Sequence, residues 1–186
     1  MMYEPSRLEI YLTVAVGAVF SSIFKNYVDR LDLTGSERVI ELGPSAGNNS
    51  LHLARRLSTS GGRLTCVDIS RRWTEVARRR LHNYPDVMFK CGDIANLDIP
   101  AHSQDVAVVS FVLHDIPGGD RMRVMQHLAA TLKPEGKIFI REPLHFITQQ
   151  EIRKLMGACG LEEIWSGEFS IKTQGRVFEG VYRLRK

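Results

Sequence analysis

Three acidic residues stand at comparable places along the chain, each at or just after the end of a short apolar segment. They are Glu41, Asp68 and Asp93. Because parallel strands deliver their carboxyl ends to one edge of a sheet, three such carboxylates could accept hydrogen bonds from the hydroxyl and amino groups of one nucleoside ligand. A single strand-end aspartate is more often a turn former or a helix cap. The prediction of a nucleoside-cofactor site therefore rests on the three acids together.

The first acid is followed by a glycine-bearing turn. Gly43 and Gly47 enclose Pro44, Ser45 and Ala46, and a helix is predicted to begin at Asn48. Glycine permits close approach of the backbone to a ligand, because it has no Cβ. The Gly-x-x-x-Gly spacing differs from the Gly-x-Gly-x-x-Gly pattern of dinucleotide-binding proteins. The turn therefore favours a nucleoside cofactor other than NAD.

A fourth apolar segment ends in residues of a different chemical type. Ser110 is followed by Phe-Val-Leu and then by His114 and Asp115. An imidazole titrates near neutral pH, so a histidine at the rim of a site suits proton abstraction. The alternative is that His114 only caps the strand or contacts the cofactor. Asp115 is expected to orient a loop, and the histidine and carboxylate spacings of the chain predict no metal site.

The elements that must position these residues alternate from Arg38 onward. Strands are predicted at 39–42, 64–68, 87–90, 105–113, 137–141, 163–171 and 176–184, with helices between the earlier ones. The order predicts an α/β fold with a doubly wound, mostly parallel sheet of seven strands. The turn at 172–175 is short enough for a hairpin, which would add an antiparallel C-terminal strand. Turns or caps are further predicted at 133–136, Asp120, Thr148 and Gly160.

Length and composition indicate one ordinary globular domain. The 186 residues are 44% hydrophobic and 25% charged, with a net charge of +4. An N-terminal helical segment, 1–35, is predicted to belong to the same domain as residues 36–186, as a lid on the substrate side. Its longest uncharged run, 10–24, is shorter than the roughly 20 residues of a membrane-spanning helix. The three cysteines lack Cys-x-x-Cys spacing, and together with the absence of a recognisable signal peptide they predict buried thiols in a reducing, cytoplasmic location.

In this order the motifs resemble the class I S-adenosylmethionine-dependent methyltransferases, in particular the small-molecule and quinone-biosynthesis branch. The resemblance covers the chain from about Arg38 and rests on five segments: 41–47, 67–68, 92–94, 110–115 and 132–137. It implies a Rossmann-like methyltransferase fold and S-adenosylmethionine as cofactor. One departure is that many members have a third glycine where this chain has Ser45.

The resemblance also implies roles for individual residues. The first loop would hold the methionine part of the cofactor, Asp68 with Ile69 would hold the ribose side, and Asp93 with Ile94 would hold the adenine. The backbone near Ser110 would face the methionine amino group, and His114 would deprotonate the acceptor. The residues assigned to the cofactor are Glu41, Gly43, Ser45, Gly47, Asp68, Ile69, Asp93, Ile94 and Ser110. Arg141, Glu142 and His145 are expected to line the acceptor site.

The acceptor itself stays open at this point. A small molecule is expected, including apolar or lipid-like ones, whereas nucleic acid is disfavoured. Five arginines at 71, 72, 78, 79 and 80 form a basic cluster, but no aromatic residues interleave with them, so a solvated helix face is the simpler interpretation. The alternatives are a lipid-headgroup N-methyltransferase that meets a membrane surface through its N-terminal helix, an NAD-dependent oxidoreductase, and a non-catalytic cofactor-binding protein. The oligomeric state is not predicted.

Overall fold

The computed structural model describes residues 4–171 and 174–185. The chain divides into two compact units, the first ending at Leu97 and the second beginning at Asp98. The N-terminal helices belong to the first unit. The boundary between residues 35 and 36 stays a prediction.

Among its described residues, 4–97, the first unit contains four α-helices and three parallel strands. In chain order they are α1 (Arg7–Val19), α2 (Ser21–Arg30), β1 (Arg38–Leu42), α3 (Asn48–Leu57), β2 (Arg63–Asp68), α4 (Arg71–Arg80) and β3 (Val87–Cys91), followed by a short 3₁₀ helix at Ile94–Asn96. The strand order is β3-β2-β1, with parallel pairing throughout. Residues 39 and 40 of β1 and 64 to 67 of β2 are buried, as expected for parallel strands covered on both faces.

In the second unit, residues 98–171 and 174–185 form two α-helices and four strands. They are β4 (Gln104–Ser110), α5 (Gly118–Thr131), β5 (Leu132–Pro143), α6 (Gln149–Ala158), β6 (Leu161–Ile171) and β7 (Gly175–Leu184). The strand order is β4-β5-β7-β6, in which β4 and β5 are parallel and β7 is antiparallel to both of its neighbours. The predicted fold class, a seven-stranded and mostly parallel sheet with an antiparallel C-terminal pair, is confirmed.

Several local predictions are also confirmed. The α3 helix begins at Asn48, and Thr148 and Glu151 form a reciprocal capping box at the start of α6. Gly160 follows α6 with a φ of 75°, the left-handed conformation that glycine adopts at helix ends. Of the predicted hairpin turn, residues 172 and 173 lie outside the described residues.

Three local predictions were wrong. Asp120 does not cap α5, because the helix begins two residues earlier, directly after Pro117. The fourth strand ends at Ser110 rather than at Leu113, because Phe111 takes a left-handed conformation with a φ of 59°. The expected turn at 133–136 lies within the bounds of β5, where the register with β4 jumps from Leu132 to Lys137.

The N-terminal segment is a bent pair of helices. Ser6 caps α1 by accepting a hydrogen bond from the backbone N–H of Glu9, and the chain breaks at Phe20 before α2 begins. Within residues 4–171 and 174–185 no single helix is long and apolar enough to cross a membrane; α1 and α2 would pass that test only as a pair, and they are bent by 69°.

Candidate functional site

The loop at residues 43–47, called the cofactor loop below, contains three left-handed residues. Gly43, Ser45 and Gly47 have φ values of 66°, 51° and 78°. The left-handed conformation is costly for a residue with a Cβ, which explains why many family members carry glycine where this chain has Ser45. At Gly47 an added Cβ would lie 2.9 Å from Cδ1 of Leu81, so alanine there would displace that side chain in addition to its conformational cost. The loop then leads into the first turn of α3.

Glu41, the acid two residues before this loop, is buried. Its side chain is 2% exposed and accepts a hydrogen bond of 2.5 Å from the Ser50 hydroxyl of α3. The Cys66 thiol lies 3.9 Å from the same oxygen. Burial raises the pKa of the Glu41 carboxyl to about 7, with a further contribution from the charge of Asp68, while the Ser50 hydroxyl opposes the shift. Glu41 thus connects the end of β1 to the first turn of α3, which follows the cofactor loop.

Asp68 joins the cofactor loop to the start of α4. One oxygen of its buried carboxylate accepts from the backbone N–H of Ser45 at 3.1 Å, and the other accepts from that of Ser70 at 2.9 Å. Burial raises the pKa of Asp68, and these two hydrogen bonds oppose that shift. Ile69, the next residue, is 45% exposed and offers an apolar surface beside the carboxylate. This arrangement suits a ribose with its attached base.

The third acid, Asp93, follows the end of the neighbouring strand β3. Gly92 donates its N–H to the Asp68 carbonyl at 2.8 Å, so Asp93 follows close to the end of β2. Asp93 caps the 3₁₀ helix through the N–H of Ala95, while Ile94 is only 4% exposed. Ile94 therefore belongs to the packed interior of the described structure. Beside Asp68, it is Ile69 that presents an exposed apolar side chain.

The donors and acceptors of the first unit suit the methionine end of S-adenosylmethionine. Asn49, the second residue of α3, keeps a buried side-chain oxygen, Oδ1, without a hydrogen-bond partner among the described residues. An unpaired buried acceptor of this kind is costly unless a ligand donates to it. It lies in the helix turn that follows the cofactor loop, so an ammonium group held there would satisfy it. The residues present therefore fit the cofactor that the sequence predicts.

In the second unit, Ser110 ends β4. Its hydroxyl oxygen is also buried without a partner among the described residues. The next residue, Phe111, turns the chain sharply and donates its N–H to the Arg141 carbonyl at 2.7 Å. An unsatisfied hydroxyl at a strand end agrees with the predicted polar contact near Ser110.

His114 is held by a carboxylate that the sequence did not assign to it. Its Nδ1 lies 2.6 Å from Oε2 of Glu142, which is completely buried. The other oxygen of Glu142 accepts from the backbone N–H groups of Val112 and Leu113 at 2.7 and 2.8 Å. Three hydrogen bonds thus fix this carboxylate, and the carboxylate fixes the imidazole.

The surroundings of His114 favour its protonated form. Burial lowers the pKa of the imidazole, but the hydrogen bond and charge of Glu142, with a smaller contribution from Asp115, outweigh burial and raise the pKa above its ordinary value. Phe146 stacks on the ring with centroids 4.8 Å apart and an interplanar angle of 6°. The imidazole is therefore held with its Nδ1 next to the Glu142 carboxylate. Its Nε2 lies 3.6 Å from the carboxylate of Asp115, which is exposed.

The residues expected to line the acceptor site behave differently from one another. Arg141 is 2% exposed and forms an ion pair of 3.3 Å with the equally buried Glu179, so it is a structural residue rather than a lining one. Glu142 is also fully buried and acts through His114. His145 contacts Phe146, whose side chain is 60% exposed. The prediction of three buried thiols is confirmed for Cys66 but was wrong for Cys91, which is exposed, and for Cys159, which is only partly buried.

Sequence reasoning missed two further contacts. Glu4 lies outside every motif, yet its carboxylate accepts from the Ser70 hydroxyl and from the first backbone N–H groups of α4, at 2.8 to 3.1 Å. Arg80 was grouped with solvated arginines, but it reaches into the cofactor loop. An acid near the N-terminus of a helix and an arginine in the last helical turn give no distinctive sequence signal, because both are common on solvated surfaces.

Comparisons with known proteins identify the family of the chain. Residues 39–136 match the family model described as "Methyltransferase domain". An uncharacterized 37.1 kDa protein of a Streptomyces fradiae transposon is 31% identical over 75% of this chain and 39% of its own length. The carboxy-S-adenosyl-L-methionine synthase of Glaesserella parasuis is 30% identical over 61% of this chain and 48% of its own. The chain thus spans about half, or less, of the length of these relatives.

A solved structure extends the likeness to the fold. A SAM-dependent methyltransferase from Aquifex aeolicus superposes with a TM-score of 0.73 at 12% identity, covering 87% of this chain and 89% of that one.

Fold and site together define the class of S-adenosylmethionine-dependent methyltransferases. The strand order, the left-handed cofactor loop and the carboxylate after β2 are the features that carry this class. The chain belongs to the methyltransferase domain family, since the family model matches more than half of its residues. The class predicted from the sequence, and with it S-adenosylmethionine as the cofactor of that class, is confirmed.

Proposed function

We propose that this protein transfers a methyl group from S-adenosylmethionine to an ionisable hydroxyl of a small, partly apolar acceptor. The observation that carries the proposal is the pair formed by His114 and Glu142. Methyl transfer to a hydroxyl needs a base, because the oxygen must lose its proton to become a good nucleophile. Methyl transfer to an amine or thiolate has a weaker need for such a base.

The base chemistry follows from the hydrogen bonds of the imidazole. Because Oε2 of Glu142 accepts at Nδ1, the neutral ring carries its proton on Nδ1 and presents a lone pair at Nε2. Nε2 takes the acceptor's proton, and the resulting imidazolium is stabilised by the buried carboxylate. Two backbone N–H groups keep that carboxylate in place throughout. His114 is thus the proposed catalytic residue, and Glu142 is its positioning residue.

The cofactor would be held by residues of the first unit. Asp68 would accept from the ribose hydroxyls, Ile69 would cover the base, and Asn49 with the cofactor loop would receive the methionine end. When bound, S-adenosylmethionine supplies a methyl group already activated by the positive sulfur. The residues therefore need only hold and orient the reactants and exclude water. Glu41 would hold the first turn of α3 through Ser50. The contact of Asp93 with the adenine, and that of the backbone near Ser110 with the methionine amino group, stay predictions.

The surface beside the base suggests the type of acceptor. Phe146 stacks on one face of His114 and leaves 60% of its own side chain exposed, which offers an aromatic surface next to the proposed base. Aromatic rings pack well on such a surface. A phenolic or enolic hydroxyl also has a pKa low enough for an imidazole to assist its ionisation. We therefore propose a phenol-like acceptor.

The test uses the whole chain with S-adenosylmethionine and a panel of phenols, enols, amines and thiols. Products are identified by mass spectrometry, which also separates methylation from carboxyl transfer to the cofactor, the reaction named for one relative. We expect methylated phenols, and we expect His114→Ala to lower turnover by about 10² to 10⁴ with S-adenosylhomocysteine affinity unchanged. Asp68→Ala should instead weaken that affinity by more than tenfold. Methylation of amines alone, tight binding of NAD, or full activity of His114→Ala would overturn the proposal.

A membrane-surface acceptor is the second candidate, and one observation favours it. The outer side of α1 carries large apolar side chains that are 45% to 75% exposed: Leu8, Tyr11, Leu12, Val16 and Val19. Contiguous exposed apolar side chains of this kind mark interaction surfaces. Sedimentation with phosphatidylglycerol vesicles tests this candidate. We expect the wild-type chain to bind these vesicles and Leu12→Glu to abolish binding. Ile164→Glu adds the same charge at an exposed apolar residue of β6 and should leave binding intact. Absence of wild-type binding would dismiss it.

A further inference from the structure

Arg80 is the member of the basic cluster that contacts the cofactor loop. It is the last residue of α4 and is only partly exposed, whereas the adjacent Arg79 is exposed. Its guanidinium nitrogen Nη1 donates to the backbone carbonyl of Ala46 and to Oδ1 of Asn48, the second at 2.7 Å. Both hydrogens of that nitrogen are therefore used. One acceptor is in the cofactor loop and the other is in the first residue of α3.

The position of Ala46 makes this contact significant for the loop. Ala46 lies between two left-handed residues, Ser45 and Gly47, so its carbonyl orientation depends on both. The same end of α4 also packs against Gly47, where Ala77 and Leu81 occupy the space that a Cβ would need. The last turn of α4 thus contacts the loop by packing and by hydrogen bonding. A charged donor to a carbonyl makes a stronger hydrogen bond than a neutral one.

The contact continues from Asn48 to the N-terminal helix. The side-chain nitrogen of Asn48 donates to the Thr13 carbonyl at 3.2 Å, and its amide group fills the space next to the buried Gly17. Asn48 therefore has a partner on each side, Arg80 at its oxygen and α1 at its nitrogen. This double contact holds the first turn of α3, which the proposed function assigns to the methionine end of the cofactor.

We propose that Arg80 is a positioning residue for cofactor binding, which keeps the cofactor loop in the conformation that receives S-adenosylmethionine. The proposal rests on the proposed function of that loop. Without the guanidinium, the Ala46 carbonyl and the Asn48 amide lose a common donor, and the left-handed residues 45 and 47 are free to relax. The ligand must then restore the loop on binding, so its affinity falls.

The experiment compares Arg80→Ala with Arg79→Ala, its exposed neighbour on the same helix. S-adenosylhomocysteine binding is measured by calorimetry on the whole chain. We expect the dissociation constant to rise at least tenfold for Arg80→Ala and less than twofold for Arg79→Ala. Arg80→Lys keeps the charge and several donors on one nitrogen but is one bond shorter, so we expect an intermediate value. It also serves as the second variant should Arg80→Ala not fold.

Two readouts separate positioning from general destabilisation. At saturating S-adenosylmethionine, Arg80→Ala should recover most of the wild-type kcat, with the loss confined to the cofactor KM. Amide hydrogen exchange of residues 45–48 in the ligand-free protein should be faster in Arg80→Ala than in wild type, with exchange in β1 and β2 unchanged. Unchanged affinity and unchanged exchange in Arg80→Ala would overturn this inference alone. A wild-type chain that binds no S-adenosylhomocysteine would overturn the proposed function, and the exchange comparison would still test the contact.

Discussion

Replacing Glu142 by glutamine should convert His114 from a base into a donor. One oxygen of Glu142 accepts from the N–H groups of Val112 and Leu113 at 2.7 and 2.8 Å, and only an oxygen can occupy that place. In Glu142→Gln the amide NH₂ must therefore take the position of Oε2, 2.6 Å from Nδ1 of His114. An NH₂ group at that distance requires Nδ1 to accept. The proton of the neutral ring then moves to Nε2, which can no longer take a proton from the acceptor.

The size of the effect follows from the role of the base. General-base catalysis contributes about 10² to 10⁴ in rate, which corresponds to about 3 to 5 kcal/mol of activation free energy. Glu142→Gln should lose most of this amount although the side chain keeps its size and its two backbone hydrogen bonds. S-adenosylhomocysteine affinity should stay within twofold of wild type, because the substitution lies outside the residues assigned to the cofactor.

The pH profile supplies the second readout. Glu142 raises the pKa of His114 above its ordinary value, and the base acts only in its neutral form. Wild-type turnover should therefore rise with pH through a value above 6.5. In Glu142→Gln the residual turnover should begin to rise at a lower pH, since the carboxylate charge is gone. The same linkage predicts that the His114–Glu142 pair stabilises the fold fully below about pH 6.5 and loses that contribution as pH rises through the raised pKa.

Asp115→Asn is the matched control. Asp115 lies 3.6 Å from Nε2 of the same imidazole, but its side chain is 78% exposed, so water screens its charge. We expect less than a threefold change in turnover and little movement of the pH profile. The reasoning is refuted if Glu142→Gln keeps at least half of the wild-type kcat with its pH profile in place, or if both variants lose activity equally.

The remaining predictions concern the first unit and the free energy of unfolding, which is measured by urea denaturation. Gly47→Ala should destabilise the protein by about 1 to 2 kcal/mol for the left-handed backbone and by more for the clash with Leu81. Gly61 has a φ of 77° and no atom within 4 Å of an added Cβ, so Gly61→Ala should show the backbone cost alone. Equal losses of unfolding free energy in the two variants would contradict the packing argument at Gly47. Because burial raises the pKa of Glu41 from 4.5 to about 7, wild-type stability should fall by about 3 kcal/mol as pH rises from 4.5 to above 7. Glu41→Gln should remove this dependence, and an equally steep fall in the variant would exclude Glu41 as its source.

The sequence was sufficient for the strands and for the acids at their ends. Alternation of apolar segments with helical patterns placed β1 to β3 within one residue of the observed bounds. The loop after β1 was predicted from two glycines, and the structure adds that Ser45 shares their left-handed conformation. Both results depend on local order along the chain, which the sequence contains directly.

The hydrogen-bond partners of the functional residues could not be predicted from the sequence in the same way. Glu142 reaches His114 across 28 positions because the register of β4 with β5 pairs Ser110 with Arg141, and nothing in either segment specifies that register. Arg80 differs from Arg79 only by the rotation of one residue around α4. A helical pattern gives the inner face of a helix, but it does not show which residue of the last turn contacts a loop 34 positions away. Such contacts depend on tertiary geometry.

Glu41 and Glu142 are both buried, but they accept hydrogen bonds from different groups, and we therefore expect different roles for them. Glu142 accepts from two backbone N–H groups and from an imidazole, so its negative charge is matched within its own unit and serves to hold a base. Glu41 meets a hydroxyl and a thiol, and the negative Asp68 adds to the cost of its charge. A carboxyl so placed is partly protonated near pH 7, and a cationic ligand in the adjacent loop would favour its ionised form. We therefore expect proton release from Glu41 on cofactor binding, and proton uptake from the acceptor at His114.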